Sequence, residues 1–231
     1  MRKIVVHHLE TSRSTRVLWL LEELGLEYEL QRYARDANLR APAEFSKLHP
    51  LGKAPVVVHG DRTLAESGAI LEYLLDQFDQ DRPIDKRLRP EAGSKRTYEA
   101  YLRYRYWLHY AEGSLMSPLL LRLIFDKLAT APMPFFVKPI ANTIVKKVES
   151  TFIRQEIRSH VTFLEESLSE SEWFAGDQFS AADIQMVYGV EAMLSRGRPE
   201  VPTPNLKRWR NAVHEREALR AAIARGGELM S

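Results

Sequence analysis

Two short stretches hold residue types that could do chemistry: Gly52-Lys53-Ala54-Pro55-Val56 and Glu66-Ser67-Gly68-Ala69-Ile70. Pro55 stands where a strand built on Val56, Val57 and Val58 should begin. Proline has no N–H to give to a sheet ladder, so it is confined to edges, bulges and first residues of strands. A cis Ala54–Pro55 bond is the minority form of an X-Pro link and suits such an entry. It would leave the backbone of Ala54 turned outward at the end of the sheet. There its N–H and C=O could pair with an extended ligand as an added strand would. Glu66-Ser67 open the helix that follows, where unpaired N–H groups and the positive end of the dipole attract a carboxylate. Ser67 can donate its hydroxyl to that carboxylate, and Glu66 can accept from an ammonium group. Each residue alone reads equally well as a strand edge or a helix cap. Their joint spacing favours a ligand with a peptide backbone and an α-amino acid head.

The surrounding elements must bring these stretches together. Lys3 to His8 is short and β-branched, a strand, with His7 and His8 on opposite faces. Val17, Leu18, Leu21 and Leu24 recur at helical spacing, and Gly25 closes that helix. Glu27 to Tyr33 reads as a second strand and Ala41 to Leu48 as a short helix. A hairpin turns at Gly60-Asp61, and Ile70, Leu71, Leu74, Leu75 and Phe78 form the stripe of a further helix. The order is β-α-β-α-β-β-α, a layered α/β unit with an antiparallel edge. Residues 1–80 are expected to form this domain, 81–90 a charged, proline-containing linker, and 91–231 an all-helical domain. In the second part Glu91 to Leu121 reads as one long helix with Tyr101, Leu102, Leu108 and Leu115 inward. Ala131 to Pro139 breaks the helical pattern, which resumes over Val145 to Ser169. Phe179-Ser180-Ala181-Ala182-Asp183-Ile184 is a capping box with a hydrophobic staple. Asn205 to His214 and Glu217 to Arg225 are the closing helices, and residues after Gly226 are expected to fray.

Composition narrows the function classes. The 231 residues are 45% hydrophobic and 28% charged, ordinary for a globular protein with a sizeable core. There is no cysteine, which removes disulfides, thiolate metal sites and any protein-thiol mechanism. The seven histidines show no metal-binding spacing, so no metal is expected. A net charge of +2, with arginine and lysine scattered among acids, gives no basis for a nucleic-acid partner. No apolar run spans a membrane, and Ile4 to Val6 is too short for the core of a signal peptide. The expected location is the cytoplasm, with no membrane partner.

The chain resembles the cytosolic glutathione transferases. The likeness is carried by Gly52-Lys53-Ala54-Pro55-Val56, by Glu66-Ser67-Gly68-Ala69-Ile70 and by the box from Phe179 to Ile184. Leu18-Trp19-Leu20-Leu21-Glu22-Glu23-Leu24-Gly25 fits the family's first helix. The resemblance implies a thioredoxin-like domain followed by an all-helical domain, and usually a homodimer joined through the third and fourth helices. It implies that Ala54 and Pro55 hold the cysteinyl backbone of glutathione, and Glu66 and Ser67 its γ-glutamyl head. Lys53 and Arg40 would face its glycyl end. The family often has valine where Ala54 stands, a change that a backbone contact survives.

Glutathione attacks as a thiolate but is mostly a thiol at neutral pH, so the protein must lower the thiol pKa. A hydroxyl donor at the start of the first helix would do so electrostatically. The candidates are Thr11, Ser12 and Ser14, with Arg13 acting through its charge instead. Aligned on the helix, Thr11 stands where Ser-type members of the family place their donor. The absence of tyrosine from this loop disfavours the Tyr-type subclasses, and the absence of cysteine excludes the Cys-type ones. Tyr104, Trp107, His109, Tyr110 and Glu112 are the expected walls of a second-substrate pocket, with Met116 beyond. Met133-Pro134-Phe135-Phe136 is either a lid or rim, or a packed loop. The expected activity is conjugation of glutathione to a small hydrophobic electrophile, or reduction of a peroxide by the same thiolate. The alternative is an interaction module of the same fold without turnover.

Overall fold

The computed structural model describes residues 2–36 and 40–230. The first layer is a four-stranded sheet of β1 (Ile4–Leu9), β2 (Glu29–Tyr33), β3 (Val56–His59) and β4 (Arg62–Ala65), in the order β2-β1-β3-β4. β1 and β2 run parallel, as a crossover through a helix requires. β3 and β4 are antiparallel to their neighbours and close as the expected hairpin, with Gly60 at φ 64. The crossover helix α1 (Thr15–Leu24) buries every residue from Thr15 to Leu21. It lies between the sheet and the helical layer, so no face of its first two turns meets water. Gly25 ends it at φ 66, where a side chain would be strained. A short α2 (Glu44–Leu48) pins Phe45 under the edge of the sheet beside Leu9 and Val56. Then α3 (Ser67–Phe78) packs Ile70, Leu71, Leu74 and Leu75 onto the other side.

The segment from Asp79 to Ser94 is tied down rather than loose. Buried Asp79 accepts from the Leu88 and Arg89 amides, at 2.9 and 3.1 Å, and Leu88 O accepts from Ala181 N. The helical layer comprises α4 (Lys95–Tyr110), α5 (Met116–Thr130), α6 (Lys138–Val148), α7 (Arg154–Glu170), α8 (Ala181–Arg196), α9 (Pro204–Glu215) and α10 (Glu217–Gly226). Ser94 opens α4 with its own capping box, closed by Thr97. The box at the start of α8 forms as expected. Ser180 Oγ accepts from Ala182 N, and Asp183 accepts from the Ser180 amide at 3.0 Å. The Asp183 carboxylate also accepts from Phe174 N and from Trp209 Nε1, so one buried acid holds three segments together.

Three details differ from the pattern in the sequence. The long helix does not end at Leu121. A π-helical turn over Ala111–Leu115 joins α4 to α5, which continues to Thr130. Its inner face is Tyr104, Trp107, Leu108, Ala111 and Leu115, whereas Leu102 is 40% exposed. Large aromatics, not the leucine, fill the space against α8. The chain also does not fray after Gly226, because Leu229 is buried and Met230 packs against the core. α10 lies so close to α1 and β1 that a Cβ on Gly226 would come within 2.5 Å of Leu18 on α1 and 3.1 Å of His8 on β1.

Candidate functional site

The Ala54–Pro55 bond is cis. Pairing of β3 with its neighbours begins at Val56, and no hydrogen bond among the described residues engages the Ala54 amide. Across the hairpin, Glu66 precedes α3 at φ 68, ψ 119, a region that a residue with a side chain occupies only when its surroundings enforce it. Ser67 is buried, and its hydroxyl oxygen accepts from Arg16 Nη1 and from Gln185 Nε2, both at 3.2 Å. With both lone pairs engaged, the Ser67 proton is left to give to an acceptor at the mouth of α3. Lys53 is exposed beside half-buried Ala54. Arg40 is exposed, with its amide on Asp36 Oδ1 at 2.8 Å.

The first loop separates its four candidates. Ser12 and Ser14 are buried. His8 Nε2 lies 2.8 Å from Gly226 O, which can only accept, so that nitrogen carries the proton. Burial lowers the His8 pKa, only partly offset by the bond to Gly226 O, so the ring is neutral and its Nδ1 is bare. Nδ1 therefore accepts from Ser14 Oγ at 2.8 Å, and Ser14 Oγ in turn accepts from Ser12 Oγ at 2.6 Å. Both serine protons are committed inside the protein. Thr11 and Arg13 are the partly exposed pair. Thr11 is held at φ 47, unusual for a β-branched residue. Arg35 fixes it there, donating to Thr11 O at 3.0 Å, to Glu10 O at 3.2 Å and to Thr11 Oγ1 at 3.4 Å. The Thr11 hydroxyl accepts from Arg35 and keeps its own proton free to donate.

Arg13 reaches across to the helical layer. Its Nε donates to both oxygens of Glu112, each at 2.8 Å. Fully buried Arg16 meets the same carboxylate at 2.5 Å. Glu112 stands in the π-helical turn, a local rearrangement frequent at functional sites. Burial alone would raise its carboxyl. The Arg16 and Arg13 guanidiniums outweigh that and hold it below the ordinary carboxylate range. Burial likewise disfavours charge on Arg16, and Glu112 is its compensation. Both guanidiniums also face the Tyr188 ring, at 5.0 and 5.6 Å. One chain of contacts thus runs from the first loop through Glu112 and Arg16 to Ser67 and Gln185.

A cavity of about 320 Å³ opens beside this chain, with Arg13, Glu112, Tyr188, Met116, Leu120 and Met230 among its lining residues. Of the five expected wall residues only Glu112 lines it, together with Met116, expected beyond them. Tyr104 is fully buried and donates to Glu72 on α3. Tyr110 pairs its hydroxyl with His160 Nδ1. Trp107 is 4% exposed, packs on Phe163 and Phe174, and borders a different hollow between α4 and α7. Their helical spacing is that of core, and the cavity draws its walls from α5, α8 and the C-terminal residues instead. Phe135 and Phe136 are neither packed nor among the lining residues. Sequence reasoning missed Arg16, Arg35, Gln185 and Tyr188. An arginine inside the apolar run Thr15-Arg16-Val17-Leu18-Trp19 was the one available signal, since such a position is buried and needs a partner.

The fold is a thioredoxin-like layer with an open strand end and a helix mouth, covered by an all-helical layer. The comparisons agree. Residues 1–76 match the model of the glutathione S-transferase N-terminal domain, and residues 125–217 that of the C-terminal domain. The chain is 36% identical to glutathione S-transferase 3 of Schizosaccharomyces pombe, over 95% of this chain and 86% of the relative. It is 34% identical to glutathione S-transferase 1 of Saccharomyces cerevisiae, over 95% and 93%. A solved glutathione S-transferase from Actinobacillus pleuropneumoniae, 33% identical, superposes with a TM-score of 0.74 over 98% of this chain and 94% of its own. The chain belongs to the glutathione S-transferase family, and its activity is that of a glutathione transferase.

Proposed function

We propose that Thr11 is the hydroxyl donor that makes bound glutathione a thiolate, and that the cavity beside Arg13 and Glu112 takes the electrophile. The observation that carries this reading is the positive φ of Thr11 and Glu66. Backbone strain of this kind is retained where positioning matters. Glutathione lies along the open Ala54 backbone next to Pro55, with its γ-glutamyl head at Glu66 and Ser67. Its glycyl carboxylate lies toward Lys53 and Arg40. Residues 1–80 form the glutathione-binding domain, joined through 81–90 to the helical domain of 91–231. The Thr11 O–H donates to the sulfur, and the Arg13 guanidinium adds positive potential nearby. The thiol proton leaves to solvent. The sulfur lone pair then forms a bond to an electrophilic carbon, and the leaving group departs with its electron pair. With a hydroperoxide as acceptor, the same thiolate attacks its oxygen, the O–O bond breaks and the alkoxide leaves with a proton from water; a second glutathione thiol then displaces water from the sulfenic acid to give the disulfide. The protein acts as a homodimer through α3 and α4, in the cytoplasm; no helix among the described residues is long and apolar enough to cross a membrane.

The test is kinetic. Thr11→Ala should lower kcat about a hundredfold while the KM for glutathione changes little, as loss of one preorganised donor does. Thr11→Ser should recover most of it. A rise in KM with kcat intact would assign Thr11 to positioning instead.

A further inference from the structure

Among the described residues, exposed large hydrophobic side chains concentrate on the helical pair α5–α6. Of fifteen exposed large hydrophobic residues among those described, eight fall between Leu120 and Ile144. On α5, Leu120, Ile124 and Leu128 recur at every fourth residue and are 54%, 50% and 39% exposed. On α6, Ile140 and Ile144 are exposed at the same spacing. The tip between them carries Phe135 and Phe136, 87% and 65% exposed, their rings nearly perpendicular. An apolar face of this size marks an interaction site.

Its charges say with what. Arg122 is buried against Glu149, and Asp126 is paired with Arg198. The remaining charges of the two helices are Lys127, Lys138, Lys146 and Lys147. All four are exposed, and none has an acidic partner among the described residues. Lysine is depleted from protein–protein interfaces. An apolar face and an aromatic tip among unpaired lysines instead match a surface of anionic lipid, where phenyl rings enter the acyl boundary and ammonium groups meet phosphate.

We propose that the α5–α6 hairpin docks this enzyme on anionic membrane surfaces, with Phe135 and Phe136 inserted. The sequence-based expectation of no membrane partner considered only spanning segments, and surface docking needs none. Leu120 both begins the exposed stripe and lines the cavity beside Glu112, so the cavity opens next to the docking face. Where that cavity holds the electrophile, compounds dissolved in lipid reach it without crossing bulk water. That last step rests on the proposed second-substrate pocket; the docking itself does not.

Vesicle flotation of the whole protein, without glutathione, tests the proposal. It should float with vesicles of equal parts phosphatidylcholine and phosphatidylserine, less at high salt, and not with phosphatidylcholine alone. The pair Phe135→Ser and Phe136→Ser should bind about tenfold more weakly while keeping its turnover of a soluble electrophile. Lys146→Glu with Lys147→Glu should lose the preference for anionic lipid. No flotation of the wild type, or equal flotation of these variants, would overturn the proposal. So would light scattering in which the phenylalanine variant breaks up a wild-type oligomer that itself does not float, since a second copy then covers the face.

Discussion

Glu112→Gln removes one charge from the network between the layers and keeps the side chain's shape and a carbonyl acceptor. Arg16 then remains fully buried with Ser67 Oγ and an uncharged amide as partners, and Arg13 loses its anion. Removing one member of a buried pair costs about 3–5 kcal/mol, because it strands the other charge. The Glu112 and Arg13 side chains keep 33% and 35% of their exposure, so water screens part of the loss. The lower end of that range, about 3 kcal/mol, therefore applies. In a chain of this length each kcal/mol moves Tm by about 2–4 °C, so a fall of about 9 °C is expected at neutral pH. The effect has a pH signature. The folded-state pKa of Glu112 lies below the ordinary 4.5, so the native protein binds fewer protons there than the unfolded chain. Its contribution is complete above about pH 4.5 and disappears as the pH falls through the lower folded value. The wild-type and Gln proteins should therefore converge in Tm in acid. Circular-dichroism melts of both, from neutral pH downward, make the measurement. A neutral-pH difference below about 2 °C, or one that persists unchanged in acid, would refute the assignment of Glu112 as the counter-charge of Arg16.

Other substitutions probe separate parts of the account. Ser67→Ala should weaken glutathione binding about tenfold by calorimetry, the loss expected of one hydrogen bond to a charged group. An unchanged affinity would place the γ-glutamyl head elsewhere. Ser12→Ala and Ser14→Ala should each cost about 1–2 kcal/mol of stability in urea melts while leaving kcat near wild type, because their protons serve His8 and each other. Asp183→Ala should cost about 3 kcal/mol or more, since it strands the Phe174 and Ser180 amides and Trp209 Nε1 in the core. Burial pushes the Asp183 carboxyl up to about 6 against those donors. Its raised folded value means that its contribution is fullest below its unfolded pKa and declines as the pH rises toward 6, the reverse of Glu112.

Local signals were legible in the sequence because each sits within a few residues. The Ser180–Asp183 box, the Gly60 hairpin, the Ala54–Pro55 entry and the Glu66-Ser67 mouth of α3 all formed as their residue types imply. What was not legible is pairing over distance. Arg16 finds Glu112 across 96 positions, and Gln185 finds Ser67 across 118. No periodicity encodes such matches. The π-helical turn that carries Glu112 leaves no mark in composition. The aromatic spacing of Tyr104, Trp107 and Tyr110 suited a pocket wall and a core face equally. The core won because α8 offers Val187, Val190 and other buried apolar side chains to pack against. Gly226 read as a chain end, yet its missing side chain is what lets α10 close onto His8 and Leu18.

The central claim is that this site converts glutathione to a thiolate through a donor on the first loop. Ultraviolet absorbance of the bound thiolate across pH measures it directly. In the wild-type complex the midpoint should lie at least about one pH unit below that of free glutathione, and in Thr11→Ala it should return most of the way. A bound thiol that titrates like the free one, or a midpoint that Thr11→Ala leaves in place, would contradict the account.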